Sequence, residues 1–88
     1  MYIGVSIKLN ITIKSYHHEF RSLVDNLSKD GRITLPGNES VSSVLDIIGI
    51  SKQKQTGLVL FINGRMALMD TKLSEGDTLV FFSPIAGG

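Results

Sequence analysis

The chain contains no cysteine. That excludes a disulfide framework, a thiolate nucleophile and cysteine-ligated zinc. Any sulfur chemistry here must therefore use sulfur brought from outside. Charge of one sign is also scarce. Nine Lys and Arg stand against eight Asp and Glu, a net charge of +1, with no basic cluster, which argues against nucleic acid as a partner. Long hydrophobic runs are missing too. The longest, Leu58–Ile62, falls far short of a membrane span. The opening stretch Met1–Lys8 has neither the basic n-region nor the long apolar h-region of a signal peptide. The expectation is a cytoplasmic protein with no membrane partner.

Catalytic patterns are equally sparse. His17 and His18 are the only histidines. Neighbouring helical positions point about 100° apart, so the two rings do not share a face as metal ligands need. The residues four positions on are Arg21 and Ser22, which are not ligands for a metal site. No glycine-rich loop runs into Lys-Ser/Thr to cradle a nucleotide phosphate. No serine sits in a nucleophile motif, and no obvious pair of carboxylates offers acid/base work. The chain is expected to have no active site of its own, no metal and no bound cofactor.

What is present is strongly periodic. At 88 residues, 42% hydrophobic and 19% charged, the chain suits a single globular domain, 1–88. Val5, Ile7, Leu9, Ile11 and Ile13 alternate with Ser6, Lys8, Asn10 and Thr12, the period-two pattern of a half-buried strand. Tyr16, Phe20, Leu23, Val24 and Leu27 then fall at helical spacing, with Ser15 as a candidate N-cap and Asp30-Gly31 as the stop. Arg32–Leu35 reads as a short strand ended by Pro36-Gly37. Ser40 can cap a second helix with the stripe Val41, Val44, Leu45 and Ile48. Gly49 and Ser51–Gly57 read as a loop.

Leu58–Ile62 is apolar at every position, which predicts a strand buried on both faces. Asn63-Gly64 is a type I′ hairpin signal, with Arg65–Met69 returning. Ser74–Asp77 makes a turn into the last strand, Thr78–Ser83. The order β-α-β-α-β-β-β predicts an α+β domain, a sheet packed on a helix.

The chain ends Phe81-Phe82-Ser83-Pro84-Ile85-Ala86-Gly87-Gly88. Glycine has no Cβ, so such a tail is thin enough to thread into a narrow site. With no internal catalytic group in view, the carboxylate of Gly88 is the candidate reactive group. A carboxylate is a weak electrophile. ATP converts it to an acyl-adenylate, after which sulfur transfer gives a thiocarboxylate and attack by an amine gives an isopeptide bond. The plain alternative is an interaction domain whose two glycines are an incidental frayed end.

These last eight residues resemble the C-terminal signature of the small subunit of molybdopterin synthase. Ile62-Asn63-Gly64, Leu73-Ser74-Glu75-Gly76-Asp77-Thr78-Leu79-Val80 and Ser40-Val41-x-x-Val44-Leu45 are similar to its hairpin, its Leu-x-x-Gly-Asp turn and its helix start. Thiamine-pathway sulfur carriers and ubiquitin-related modifiers share the tail. Ser83 departs from the pattern, standing where the first of two prolines is common. The long region Ser15–Asp30 favours the molybdopterin-type branch, or a prokaryotic ubiquitin-like modifier, over the thiamine branch.

The resemblance implies a β-grasp (ubiquitin-like) fold, a mixed sheet of about five strands curled around a helix, with the first and last strands parallel at its centre. It implies that a ubiquitin-activating-enzyme-like adenylyltransferase, carrying ATP and Mg²⁺ itself, adenylates Gly88. A sulfurtransferase then supplies sulfur, and the thiocarboxylate tail inserts into a synthase large subunit, in a heterotetramer, to build molybdenum or tungsten cofactor. Conjugation to lysines through Gly88, or sulfur delivery to thiamine or tRNA, are the alternatives.

On this reading Gly87 and Ala86 keep the tail slim, Ile85 is its aliphatic residue, and Pro84 stiffens its exit. Residues 84–88 form the extended reactive tail. On the last strand Leu79 and Phe81 share one face, Val80 and Phe82 the other. If the first pair faces the helix, Phe82 lies outward beside the tail as a partner contact, with Val80 on the same face. The resemblance places a second contact at Met66. Asn63 and Gly64 are read as turn residues without chemistry.

Overall fold

The alternation of the first segment produces an interior strand of the sheet. In the computed structural model, which describes residues 8–16, 18–37 and 39–83, β1 spans Lys8–Ser15. Leu9, Ile11 and Ile13 of β1 are buried. After β1 come α1 (His18–Leu27), β2 (Arg32–Pro36), α2 (Val41–Ile48), α3 (Lys52–Gln55), β3 (Val59–Ile62), β4 (Arg65–Ala67) and β5 (Thr78–Phe82). The five strands form one mixed sheet in the order β2-β1-β5-β3-β4. β1 and β5, the first and last strands, pair in parallel, from Thr12 opposite Thr78 to Ser15 opposite Phe81. The other three pairings are antiparallel. This is the β-grasp arrangement, with the last strand at the centre of the sheet.

The core lies between one face of the sheet and α1 and α2. Leu35, Leu60, Leu79 and Phe81 from the strands meet Phe20 and Val24 of α1 and the stripe Val41, Val44, Leu45 and Ile48 of α2. Leu79 and Phe81 are wholly buried, each contributing about 1.5–3 kcal/mol of apolar burial. The Phe81 ring tilts against Phe20, with centroids 6.2 Å apart. This packing anchors the strand that leads into the tail.

The start of α2 is held from two sides. Ser40 is its N-cap, accepting a hydrogen bond from the Ser43 amide. The Val41 and Ser42 amides donate to the carbonyls of Thr71 and Met69 on the connection between β4 and β5. Those donors have no partner within the helix, so the crossing chain satisfies them. Gly49, at φ 107°, closes the helix in the left-handed conformation. No helix among the described residues is long and apolar enough to cross a membrane.

Several sequence expectations shift. Ser15 is not a helix cap: it is the last residue of β1, buried and paired with Phe81. Tyr16 is 67% exposed and Leu27 45% exposed, so neither belongs to the core stripe of α1. The helix itself is ten residues, His18–Leu27, so the length of the 15–30 region lies partly in the end of β1 and the turn at Ser28–Gly31. The expected loop 51–57 contains the one-turn α3, capped by Ser51 and held by the buried Gln55. In β3 only Leu60 is fully buried, the other three residues being half-exposed. Its inner face meets the core and its outer face is open, which an unbroken apolar run does not reveal. β4 ends at Ala67 and β5 at Phe82, shorter than the predicted strands.

Candidate docking face at the root of the tail

β5 alternates across the sheet as predicted. Leu79 and Phe81 point into the core, and Val80 and Phe82 emerge half-buried on the opposite, outer face. The register then places neighbours beside them. Phe82 pairs with Val59 and Val80 with Phe61, and Phe61 pairs with Met66. Residues directly opposite one another share a face, so Val59, Phe61, Met66, Val80 and Phe82 make one apolar patch. The Phe61 and Phe82 rings stack at 6.0 Å with 9° between their planes. Met66 is 72% exposed.

The structure thus brings three of the sequence-selected residues, Phe82, Val80 and Met66, onto one face. Besides Val59, which lies in the same apolar run as Phe61, two residues escaped the sequence reading. Phe61 was hidden in the run 58–62. The hairpin would have found it, because an Asn63-Gly64 turn closed by Ile62 and Arg65 puts Phe61 opposite Met66. Asn63 and Gly64 have φ of 52° and 83°, as that turn requires. The other is Tyr16. Its amide donates to the Phe81 carbonyl at 3.0 Å, carrying the parallel ladder one residue past β1. Continuing the alternation of β1 by one step assigns Tyr16 to the outer side, level with Phe82.

The outer face is graded along β5. At the tail end the rows read Tyr16, Phe82, Val59 and then Lys14, Val80, Phe61, Met66. At the far end they turn polar. There Thr12 pairs with Thr78, the Thr78 amide donates to Asn63 Oδ1, and Thr34 donates to Asn10 Oδ1. The Asn10 amide and side chain both donate to Glu75 at this end, holding its carboxyl below the ordinary value of 4.5. Apolar surface therefore concentrates where the chain leaves the sheet.

Gly88, Gly87, Ala86, Ile85 and Pro84 lie outside the described residues, as do His17 and the side chain of His18. Among the described residues no group of three or more His, Cys, Asp or Glu side chains is placed to hold a metal ion.

A mixed sheet of this order wrapped on its helices defines a ubiquitin-like β-grasp protein, and solved structures agree. SAMP1 from Haloferax volcanii aligns over 90% of this chain and 99% of its own, with a TM-score of 0.59 at 17% identity. A Pyrococcus furiosus protein described as molybdopterin converting factor, subunit 1, aligns over 88% and 99%, with a TM-score of 0.58 at 17% identity. The Haloferax volcanii HVO 2177 protein aligns over 100% and 94%, with a TM-score of 0.63 at 16% identity. No curated protein matches by sequence. The ThiS family model matches residues 18–88, and the chain belongs to the ThiS family of ubiquitin-like sulfur carriers.

Proposed function

We propose that this chain carries sulfur as a thiocarboxylate on Gly88 and delivers it in molybdenum or tungsten cofactor assembly, as the small, non-catalytic subunit of a synthase working in the cytoplasm. The observation that supports the reading best is positional. The sequence Pro84-Ile85-Ala86-Gly87-Gly88 follows β5 after Ser83 alone, and β5 is the strand bearing Val80 and Phe82 of the apolar face. A handle and a gripping surface thus adjoin.

The chemistry balances as follows. The Gly88 carboxylate attacks the α-phosphorus of ATP on an adenylyltransferase, giving acyl-adenylate and pyrophosphate. A persulfide sulfur from a sulfurtransferase then attacks the acyl carbon and AMP leaves. Reductive cleavage of the resulting acyl disulfide by a thiol leaves the thiocarboxylate and a disulfide. The net change on the chain is one oxygen replaced by sulfur. The chain's own part is delivery: β5 holds the tail root, Phe82, Val80 and Met66 meet the partner, and Pro84 to Gly88 reach into its site.

Incubation with activating enzyme, ATP, Mg²⁺, sulfurtransferase and a sulfur source tests this. Intact mass should rise by one oxygen-to-sulfur exchange, and deletion of Gly88 should abolish the rise. A shift that survives the deletion overturns the mechanism. A second reading, conjugation to lysines through Gly88, draws support from the fold shared with SAMP1, a small archaeal modifier protein. A ladder of conjugates in cell lysate favours it, and a single free band favours sulfur carriage.

A further inference from the structure

Tyr16 and Lys14 are the two outer-face residues at the tail end of β1, and the reading above leaves both unused. Lys14 pairs with Val80 and makes no ion pair among the described residues. Tyr16 stands level with Phe82, its amide bonded to the Phe81 carbonyl, and is 67% exposed. Together they border the apolar patch on its β1 side. Beyond them the outer surface of β1 and β2 presents Lys8 and Arg32, with Arg32 loosely paired to Asp30 at 3.8 Å. Lys14 is the cation that borders the patch itself, because Lys8 lies at the opposite end of β1, beyond Thr12 and Asn10.

The short tail decides what covers this border. Residues 84–88 are five residues, which span roughly 18 Å at full extension. If Gly88 is to meet ATP inside an enzyme, the body of that enzyme must press against the tail root. A tyrosine offers a large, rigid, amphipathic contact at such a place. An exposed lysine beside it favours a partner surface carrying a carboxylate and speeds encounter with it.

We propose that Tyr16 and Lys14 form the specificity-determining edge through which the activating enzyme grips the tail root, Tyr16 filling an apolar slot and Lys14 facing an acidic group on its rim. This rests on the sulfur-carrier reading and extends the docking face from β5 across to β1. The edge acts on binding of the carrier, while the adenylation chemistry belongs to the enzyme.

Full-length Tyr16→Ala, Tyr16→Phe, Lys14→Glu and Lys14→Arg are assayed with the activating enzyme by pyrophosphate release, at low and high salt. Thermal melts check that each variant folds. Tyr16→Ala is expected to raise the KM for the carrier by about tenfold with kcat unchanged, and Tyr16→Phe to restore most of it. Lys14→Glu should raise KM and flatten its salt dependence, while Lys14→Arg keeps both. Variants with KM within about twofold of wild type would overturn the edge while leaving sulfur carriage intact, as would Tyr16→Phe behaving like Tyr16→Ala. A wild-type chain that releases no pyrophosphate removes the sulfur-carrier reading, and the edge with it.

Discussion

Phe61 and Phe82 stack in parallel, offset, on the outer side of the sheet, ring centroids 6.0 Å apart and planes 9° from parallel. They sit on neighbouring strands, diagonal across the β3–β5 register, in which Val59 meets Phe82 and Phe61 meets Val80. The stack holds Phe82 in one orientation at the last position of β5, directly before the tail.

That arrangement sets the outcome of Phe82→Glu. The backbone pairing with Val59 needs no particular side chain, and the core beneath is made by Leu79 and Phe81. Loss of the stack should lower stability by about 1 kcal/mol. Association with the activating enzyme or synthase partner should weaken by at least about tenfold, because a carboxylate then interrupts the apolar face. Calorimetry measures the binding and a denaturant melt the fold; unchanged affinity would remove Phe82 from the interface.

Gly31 gives a prediction about stability alone. It lies at φ 79°, its carbonyl accepts from the Ile13 amide at 2.8 Å, and a Cβ placed on it would lie 2.5 Å from the Ile13 carbonyl oxygen. Gly31→Ala therefore meets both the left-handed backbone penalty, about 1–2 kcal/mol, and a backbone clash at a central strand. The expected loss is about 3 kcal/mol or more by urea denaturation. Gly64→Ala, with no atom within 4 Å of its Cβ position, should cost only the backbone penalty. Equal costs at the two sites would refute the clash.

The contrast between Leu79 and Phe61 explains how much the sequence disclosed. Position along β5 groups Leu79 with Phe81 and Val80 with Phe82, but the run Leu79–Phe82 is apolar throughout, and the burial of Leu79 and Phe81 decides which pair faces inward. β3 has no polar residue to mark its outer face, because that face is itself apolar, and Phe61 was mistaken for core. Tyr16 failed for a related reason. It satisfies a helical spacing with Phe20 and also the strand alternation of β1, and only the hydrogen bond to Phe81 decides between them. The one-turn α3 is too short to show a period at all, and polar contacts hold it in place: the Ser51 cap, Lys52 bonded to Ser42 and Asp46, and the buried Gln55.

Gln55 is buried, its Nε2 donating to Asp46 Oδ1 at 2.7 Å and to the Ile50 carbonyl at 2.8 Å. Its Oε1 accepts from Ser42 at 3.3 Å. These bonds fasten α3 to the end of α2. Gln55→Met keeps the bulk and leaves the Ile50 carbonyl without this donor, so stability should fall by about 1–3 kcal/mol. Hydrogen exchange should locate the loosening at 50–57, leaving the β1–β5 pairing protected. Uniform loss of protection would count against α3 as a separately fastened element.

Glu75 links pH to the central pairing. Even-numbered residues of β1 turn their amides toward β5: Thr12 donates to the Asp77 carbonyl. At Asn10 the Glu75 carboxylate serves instead, accepting from the Asn10 amide at 2.9 Å and from its Nδ2 at 3.1 Å. The Asn10 backbone donor, then its side chain, hold the folded carboxyl below 4.5. A depressed folded value means that the carboxylate's contribution is complete above the unfolded value. It is lost as pH falls from about 4.5 through the lower folded value. Glu75→Gln removes that charge at every pH. The stability gap between wild type and variant should therefore be open near neutral pH and narrow as pH falls below about 4.5, followed by thermal melts across the series. A gap that stays constant with pH would show that the Asn10 contacts are indifferent to the charge on Glu75.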